Sequence, residues 1–353
     1  DLVGSIIIEK TDTRIGSLEH ISCRQANFTK YAAPLLDGFY MEGIMYQIQL
    51  TKPCTAYFIG IGGISMSGLA EILLDEGFSV SGSDSHETAL TEHLETKGAR
   101  VYYGQRAANI EREPGISVVV YTAAIHEDNP EFRAARDKGI PMLSRAELLG
   151  ELMRNYKEAI AISGTHGKTT TTSMATHIFM AAQKDPTVMI GGTLPLLHGG
   201  YRVGQGDTII LESCEYCNSF LNFFPTVAVI LNVHADHLDF FKDLADIEQS
   251  FHRFAELVPE GTGRVVANLD DAGARAAVAG LDRPLFTYSV RDHSASCYAD
   301  NVSMFDGYGE FDVMILGQRY AHVTLHIPGS HNVSNALAAA AAAYLLGVDG
   351  KAV

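Results

Sequence analysis

Residues 163–172 read SGTHGKTTTT, and this stretch decides how the rest of the sequence is interpreted. It follows the apolar run AIAI at 159–162 and precedes SMATHIFMAA, a segment with the composition of a helix. A glycine-rich turn that ends in Gly-Lys-Thr between a buried strand and a helix is typical of a phosphate-binding loop. The common form of that motif has a further glycine at position 162, where this chain has isoleucine.

The chemistry of this loop favours a bound nucleotide triphosphate. Lys168 is positioned to reach the β- and γ-phosphates, and the hydroxyl of Thr169 to contact Mg²⁺. Threonine is a mediocre helix former, so a turn that binds nothing would have little use for four of them at a helix start. The residues predicted to hold the nucleotide are Gly164, Thr165, His166, Gly167, Lys168, Thr169 and Thr170.

Polar side chains follow two predicted strands at their carboxyl ends. Glu212 ends the strand TIILE, and Glu215 comes three residues later. The apolar run VAVIL at 227–231 is followed by Asn232, His234, Asp236, His237 and Asp239. Ligands of open parallel sheets gather at these strand ends, so we expect the groups to converge on the loop. Mg²⁺ prefers oxygen ligands, which suits Glu212 well and makes a histidine ligand unusual.

A second metal interpretation uses the same segment. Cys214, Cys217, His234 and His237 are similar in type to a structural zinc site with two Cys and two His. However, sixteen residues separate the two pairs where about twelve are usual, and the intervening stretch has the pattern of a core strand. We therefore favour packed or partly exposed thiols at Cys214 and Cys217 over a zinc site.

An earlier glycine turn follows the strand AYFI. Gly60, Gly62 and Ser65 approximate a dinucleotide-binding fingerprint, and Asp84 ends the next strand, where a ribose-binding acid would lie. Ser65 replaces the third glycine and Gly63 is additional. The motif alone leaves two alternatives, a tight turn without a ligand and a site for a nucleotide diphosphate, of which NAD is one candidate.

The order of predicted elements defines the fold class. Strands alternate with helices through both halves, which predicts right-handed crossovers and mainly parallel sheets. We expect an α/β protein with a Rossmann-like domain at 45–155, a P-loop-type ATP-binding domain at 156–353, and an unassigned segment at 1–44. Helices are predicted at 168–182 and 243–257. The segments at 284–290, 312–317 and 321–329 predict a smaller antiparallel group.

The composition excludes several classes of protein. The 353 residues carry a net charge of −16, with a pI of about 5.2, which argues against nucleic acid and anionic membranes as partners. Hydrophobic residues make up 46% of the chain, but the apolar runs are too short to span a bilayer. Five irregularly spaced cysteines predict reduced thiols and a cytoplasmic protein. A monomer and a homodimer both fit.

Taken together, these motifs resemble the Mur ligases. The matching stretches include YFIGIGGISMSGLAEIL at 57–73, SGTHGKTTTT, IILESCEYCNSFL at 209–221, VILNVHADHLDFF at 229–241 and PGSHNVSNALAA at 328–339. The resemblance covers residues 55 to about 347, and the shortened phosphate loop is the form that this family uses. It also implies a third, C-terminal domain that we expect this chain to lack.

The resemblance implies an ATP- and Mg²⁺-dependent ligase of peptidoglycan synthesis. The most similar members use ATP to convert the lactyl carboxylate of UDP-N-acetylmuramate into an acyl phosphate, which L-alanine then attacks. One alternative is the sister activity that attaches a recycled tripeptide to the same sugar nucleotide. A different alternative is a nucleotide-binding protein without catalytic activity.

The resemblance also implies roles for individual residues. Lys168, Glu212 and His237 become the catalytic candidates, and Thr169, Glu212 and His237 the magnesium ligands. The adenine side of ATP is expected at His331, Asn332 and Asn335. The residues expected to contact the UDP sugar are Gly60, Gly62, Gly63, Ile64, Ser65, Ser83, Asp84, Thr122, Ala123 and Ala124. Departures from the family pattern occur at SCEYCNS (213–219), which is less acidic than usual, and at His234, where an acidic residue is frequent.

Overall fold

The computed structural model describes residues 46–353 and, as backbone, the strands at 29–34 and 40–45. Strands β1 (Thr29–Pro34) and β2 (Tyr40–Met45) pair antiparallel within a unit that ends at Gln47. Most of the segment 1–44, expected to be unassigned, lies outside the described residues. A second unit comprises Ile48–Val353 and contains all further elements.

The first part of this unit is a five-stranded parallel sheet with strand order β5-β4-β3-β6-β7. Its elements are β3 (Thr55–Ile59), α1 (Ile64–Asp75), β4 (Ser79–Asp84), α2 (Ala89–Thr96), β5 (Arg100–Tyr103), α3 (Ala107–Arg112), β6 (Val118–Tyr121), α4 (Pro130–Asp137), β7 (Met142–Ser144) and α5 (Arg145–Met153). The strand order reverses direction at β3. The carboxyl end of β3 is therefore the place where an open α/β sheet forms a crevice for a ligand.

The second part contains a ten-stranded sheet with order β10-β9-β11-β8-β12-β13-β14-β15-β16-β17. Its elements are β8 (Glu158–Ser163), α6 (Lys168–Ala181), β9 (Thr187–Leu194), β10 (Gly199–Arg202), β11 (Thr208–Ser213), β12 (Val227–Ile230), α7 (Leu244–Glu256), β13 (Arg264–Asn268), α8 (Ala272–Ala277), β14 (Leu285–Ser289), β15 (Cys297–Phe305), β16 (Tyr308–Ile315), β17 (Gln318–Pro328) and α9 (His331–Leu345). Short 3-10 helices lie at Pro195–Leu197, Tyr216–Asn222 and Gly350–Ala352.

The mixed α/β fold class is confirmed, with one correction at the end of the sheet. The segment 284–290 contains β14, which pairs parallel with β13 and with β15, and is not part of an antiparallel group. It follows the helix α8, and this crossover returns the chain in the parallel direction. At this end of the sheet, β15 pairs antiparallel with β16 and β16 with β17, and these three strands extend the same sheet.

The core of the second sheet lies between α6, α9 and its central strands. All four residues of β12 are buried, as expected for a parallel strand that is covered on both faces. Helix α9 contributes the buried alanines at 336 and 338–343, whose small side chains let it pack closely against α6 and the sheet. This packing brings the first turn of α9 to the phosphate loop. Among the described residues, none of the helices has the length and apolar character required to cross a bilayer.

Candidate active site

The phosphate loop connects β8 to α6 and is held by the end of β12. Gly164 and Gly167 have φ values of 151° and 85°, which L side chains rarely adopt. The side chain of Asn232 accepts a hydrogen bond from the amide of His166 at 2.8 Å and donates one to the carbonyl of His166 at 2.9 Å. The carbonyl of Asn232 also accepts from the amide of Thr165 at 3.0 Å. These bonds fix the loop before any ligand binds.

Lys168 begins α6, and its side chain folds back over the loop. The ammonium donates to the carbonyl oxygen of Gly164 at 2.5 Å and pairs with Glu215 at 2.9 Å. The side chain of Glu215 is only 2% exposed and that of Lys168 is 14% exposed, so the ion pair is shielded from water. Gly167 precedes the helix and has no side chain to cap it. The first amides of α6 and the ammonium therefore form a site suited to phosphate.

Thr169 and Glu212 form an oxygen pair beside this ammonium. The hydroxyl of Thr169 donates to Glu212 Oε1 at 3.1 Å, and the amide of Gly191 donates to Glu212 Oε2 at 2.8 Å. A Cβ atom at Gly191 would lie 2.9 Å from Glu212 Oε1, so this position leaves no space for a side chain. A hydroxyl and a carboxylate at a phosphate loop fit Mg²⁺, which completes its six oxygen ligands with phosphate and water. The residues present thus fit a magnesium nucleotide.

His237 lies in a neighbouring group with Tyr216 and Asp239. The ring centroids of His237 and Tyr216 are 4.7 Å apart, and the hydroxyl of Tyr216 donates to Asp239 at 2.9 Å. This hydrogen bond to a carboxylate raises the pKa of Tyr216 to about 12. Among the described contacts, the ring of His237 packs against Tyr216, whereas Glu212 binds Thr169. The predicted role of His237 as a metal ligand therefore stays a prediction.

His234 is engaged elsewhere. Its Nε2 atom lies 2.9 Å from Asp271 Oδ2, and its ring centroid lies 5.6 Å from that of His166. Within residues 46–353, no group of three or more His, Cys, Asp or Glu side chains is arranged to hold a metal ion. The zinc interpretation therefore gains no support from the described residues. Cys217 is exposed, and burial raises the pKa of the half-buried Cys214 thiol.

The first turn of α9 meets the phosphate loop. A Cβ atom at Gly167 would lie 2.7 Å from Asn335 Oδ1. Asn335 donates to Asn332 at 2.9 Å, and Asn332 donates to the carbonyl of Pro328 at 2.8 Å. The ring of His331 packs against the backbone of Gly329, at the start of the same turn. The structure thus brings the predicted adenine-side residues next to the predicted phosphate site.

The first glycine turn lies at the switch point of the five-stranded sheet. Asp84 accepts a hydrogen bond from the amide of Gly62 at 2.8 Å, and the carbonyl of Ser83 accepts one from the amide of Gly60, also at 2.8 Å. A Cβ atom at Gly60 would lie 3.2 Å from the methyl group of Thr122. The predicted residues Gly63, Ile64, Ser65, Ala123 and Ala124 are exposed.

Ser83 differs from its neighbours because its side chain points into the domain. It is fully buried, and its hydroxyl donates to Glu131 at 2.5 Å. Glu131 also accepts hydrogen bonds from Tyr57 and Asn109. The hydroxyl of Ser83 is therefore engaged inside the domain, and the predicted contact of this residue with a ligand stays a prediction.

A cavity of about 390 Å³ extends from the first glycine turn to Glu212, the hydrogen-bond partner of Thr169. One wall is the start of α1 and of α5, with Ile64, Ser65 and Arg145, and the other is the second sheet, with Gly191 and Glu212. Tyr201 on β10 closes one side. Its ring packs on Gly68, where a Cβ atom would lie 2.8 Å from the ring, and its hydroxyl donates to Glu71. The cavity therefore runs from the predicted sugar-nucleotide turn to Glu212, one of the predicted magnesium ligands.

Arg145 and Tyr201 were not among the residues predicted from the sequence. Arg145 follows the N-cap of a short helix, and Tyr201 lies on an edge strand with no motif of its own. Their relevance depends on contacts with segments distant in the sequence, which local patterns do not report.

Two family models match this chain. Residues 55–157 match the family described as "Mur ligase family, catalytic domain", and residues 162–343 match the "Mur ligase middle domain". The chain belongs to the Mur ligase family. The resemblance predicted from the motifs is therefore confirmed.

Curated relatives narrow the position of this Mur ligase within the family. UDP-N-acetylmuramate–L-alanine ligase of Agathobacter rectalis is 52% identical over 88% of this chain and 67% of its own length. The ligase of the same name from Caldanaerobacter subterraneus is 47% identical over 86% of this chain and 65% of its own length. The chain thus spans about two thirds of the length of the curated relatives that it matches.

Solved structures of Mur ligases share this fold. UDP-N-acetylmuramate-alanine ligase from Thermotoga maritima has a TM-score of 0.68 and 31% identity, over 84% of this chain and 67% of that one. The ligase from Neisseria meningitides that is named for UDP-N-acetylmuramate and L-alanyl-γ-D-glutamyl-meso-diaminopimelate has a TM-score of 0.73 and 28% identity. That match covers 85% of this chain and 97% of that one. The Neisseria structure thus superposes better on this chain, whereas the Thermotoga structure has the higher sequence identity.

Proposed function

We propose that this chain carries the ATP and sugar-nucleotide sites of a ligase that joins L-alanine to the carboxylate of UDP-N-acetylmuramate. The observation that carries the proposal is the cavity that extends from the first glycine turn, at Ser65, to Glu212. Such a cavity suits a substrate whose diphosphate and carboxylate lie far apart. Relatives at about 50% identity that bear this activity in their names support the choice of substrates.

In this proposal residues 45–155 hold the UDP sugar and residues 156–353 hold ATP. When ATP is bound with Mg²⁺, it supplies the phosphoryl group that activates the carboxylate. Lys168 stabilises the charge of the transferring group, since it already lies over the loop carbonyls. Thr169 and Glu212 hold the metal, and His237 is proposed as a ligand of a second Mg²⁺. His331, Asn332 and Asn335 bind at the adenine side.

The diphosphate of the sugar nucleotide is proposed to bind at the exposed start of α1. Gly60 and Gly62 allow close approach of the backbone, and the first amides of α1 supply donors. Asp84 is held by the amide of Gly62, so it orients this turn. We place the reaction in the cytoplasm, in keeping with reduced cysteines at 214, 217 and 297.

A second candidate is the ligase that attaches a tripeptide to the same acceptor. The Neisseria structure superposes slightly better on this chain than the Thermotoga structure does, but it is only 28% identical, and the curated relatives at about 50% identity favour L-alanine over the tripeptide. Both candidates share the acceptor and differ only in the amine. The amine substrate therefore discriminates between them.

The test is phosphate release by the complete gene product. We expect release only when UDP-N-acetylmuramate, ATP, Mg²⁺ and L-alanine are all present, with each omission as a control. Equal rates with the tripeptide L-alanyl-γ-D-glutamyl-meso-diaminopimelate would overturn the assignment of L-alanine. ATP binding without any phosphate release would instead support the alternative of a nucleotide-binding protein without catalytic activity.

A further inference from the structure

Arg145 is the only basic side chain among the described residues that line the cavity. It is the first residue of α5, and it is half-buried. The opposite wall contains the carboxylate of Glu212, so the cavity has one positive and one negative side chain on facing elements.

The guanidinium of Arg145 has no hydrogen bond or ion pair with any side chain or carbonyl that the structure describes within residues 46–353. The nearest acid of its own helix is already engaged, because Glu147 accepts from the amide of Ser144 at 2.6 Å and completes a capping box. An arginine carries five N–H donors in a planar fork, which matches a carboxylate in a bidentate geometry. A half-buried arginine without a partner at a cavity wall is thus available to an anionic ligand.

The position of Arg145 favours the acceptor carboxylate over the diphosphate. Arg145 lines the cavity together with Glu212 and Cys214, which lie at the carboxyl end of β11. The diphosphate end, at Gly60 to Ser65, has its own donors in the first turn of α1.

We propose that Arg145 binds the carboxylate of the acceptor substrate and holds it towards the phosphate loop. The inference rests on the proposed function, because it takes UDP-N-acetylmuramate as the acceptor. It assigns Arg145 a part in choosing between sugar nucleotides with and without the lactyl group that bears this carboxylate.

The experiment is calorimetric titration of the 353-residue chain with two ligands. UDP-N-acetylmuramate carries the carboxylate, and UDP-N-acetylglucosamine has the same nucleotide diphosphate and an N-acetyl sugar without it. Arg145→Met removes the charge at similar length, and Arg145→Lys keeps a charge without the fork. Arg112→Met, at an exposed position at the end of α3, is the matched control. Thermal unfolding checks that each variant folds.

We expect Arg145→Met to weaken binding of UDP-N-acetylmuramate by about tenfold or more, with Arg145→Lys in between. Binding of UDP-N-acetylglucosamine by both variants should stay within about twofold of wild type. An equal loss for both ligands would overturn the proposal and assign Arg145 to the diphosphate. No loss for either ligand would also overturn it. Failure of the wild-type chain to bind UDP-N-acetylmuramate would instead refute the proposed function, on which the inference depends.

Discussion

Lys168 and Glu215 form an ion pair at the phosphate loop that is shielded from water. The ammonium has three donors, and the described structure uses them on two loop carbonyls and on Glu215. A buried charge that loses its partner is strongly destabilised, so Glu215 keeps the ammonium in place while no anion is bound. An incoming triphosphate offers a stronger set of acceptors for the same group.

We expect Lys168→Ala to abolish phosphate release by the complete gene product. The reason is that the loop loses its only ammonium next to the transferring phosphoryl group. Lys157→Ala is the matched control. Lys157 directly precedes β8, at the end away from the phosphate loop, and pairs with Asp207 on the surface. Steady-state rates for both variants give the result. A loss smaller than about tenfold, roughly 1.4 kcal/mol, would contradict the role assigned to Lys168.

The residues that the sequence identified were those with local patterns. Lys168 and Thr169 belong to a contiguous motif, and Glu212 was found because carboxyl ends of parallel strands meet at one edge. The contact of Tyr201 with Glu71 joins residues 130 positions apart and has no local pattern. The buried hydroxyl of Ser83 was equally inaccessible, since sequence reasoning gives the position of a residue in a strand but not its hydrogen-bond partner.

Among the elements, α5 shows how closely the first domain approaches the catalytic segment. Gly150 lies in the middle of α5, where a Cβ atom would be 1.9 Å from the backbone oxygen of Asn222. Asn222 ends the 3-10 helix Tyr216–Asn222, which directly follows Glu215. The glycine therefore permits α5 to contact the segment that positions the partner of Lys168.

We expect Gly150→Ala to destabilise the chain by on the order of 3 kcal/mol, because the backbone oxygen cannot move away as a flexible side chain can. A thermal scan should show Tm lower by roughly 6 °C or more. Gly199→Ala is the control: its φ is not positive, and the nearest atom to an added Cβ is 4.0 Å away. Equal Tm values for the two variants would show that α5 is not held by this contact.

The sequence predicted the helices and the central strands well. It was less successful with strand direction near the end of the second sheet, where β14 is parallel to its neighbours. The predicted helix 168–182 is one residue longer than α6 at its C-terminal end, and the predicted helix 243–257 is one residue longer than α7 at each end. Hydrophobic periodicity defines such elements because their apolar faces must be buried. The direction of β14 depends on α8, a helix of six residues whose alternating alanines carry little periodic pattern. Local sequence therefore does not determine which strands pair.

The two sheets of the main unit are connected by a polar contact between α1 and β10. Glu71 accepts a hydrogen bond from Tyr201, pairs with Lys97 at 2.5 Å and lies 3.3 Å from His93. Burial alone would raise the pKa of Glu71, but hydrogen bonds from Lys97 and Tyr201 outweigh it and lower the pKa. The carboxylate is therefore the form that joins the two sheets.

This shift makes the contact dependent on pH. A carboxyl group whose pKa is lower in the folded state stabilises the fold fully above its unfolded pKa, here 4.5, and loses this contribution as pH falls through the folded pKa. We expect Glu71→Gln to lower Tm at pH 7 by an amount that corresponds to about 1–2 kcal/mol. The difference from wild type should shrink as pH falls below 4.5.

The comparison requires Tm values of wild type, Glu71→Gln and the exposed Glu111→Gln across this pH range. Glu111 is the control because it is exposed on α3 and makes no such contact. A difference for Glu71→Gln that stays constant below pH 4.5 would show that the lost stability comes from packing and not from the charge.

The shared walls of the cavity have a consequence for the thermodynamics of binding. In the proposed function, a sugar nucleotide that reaches from the start of α1 to Glu212 would act as a bivalent ligand, because its two ends would bind at two sites of one unit. Once one end is bound, the other is present at its site at a high effective concentration. We expect each half of the molecule alone to bind far more weakly than the whole. The distance between the two sites would thereby make binding affinity depend on the length of the substrate.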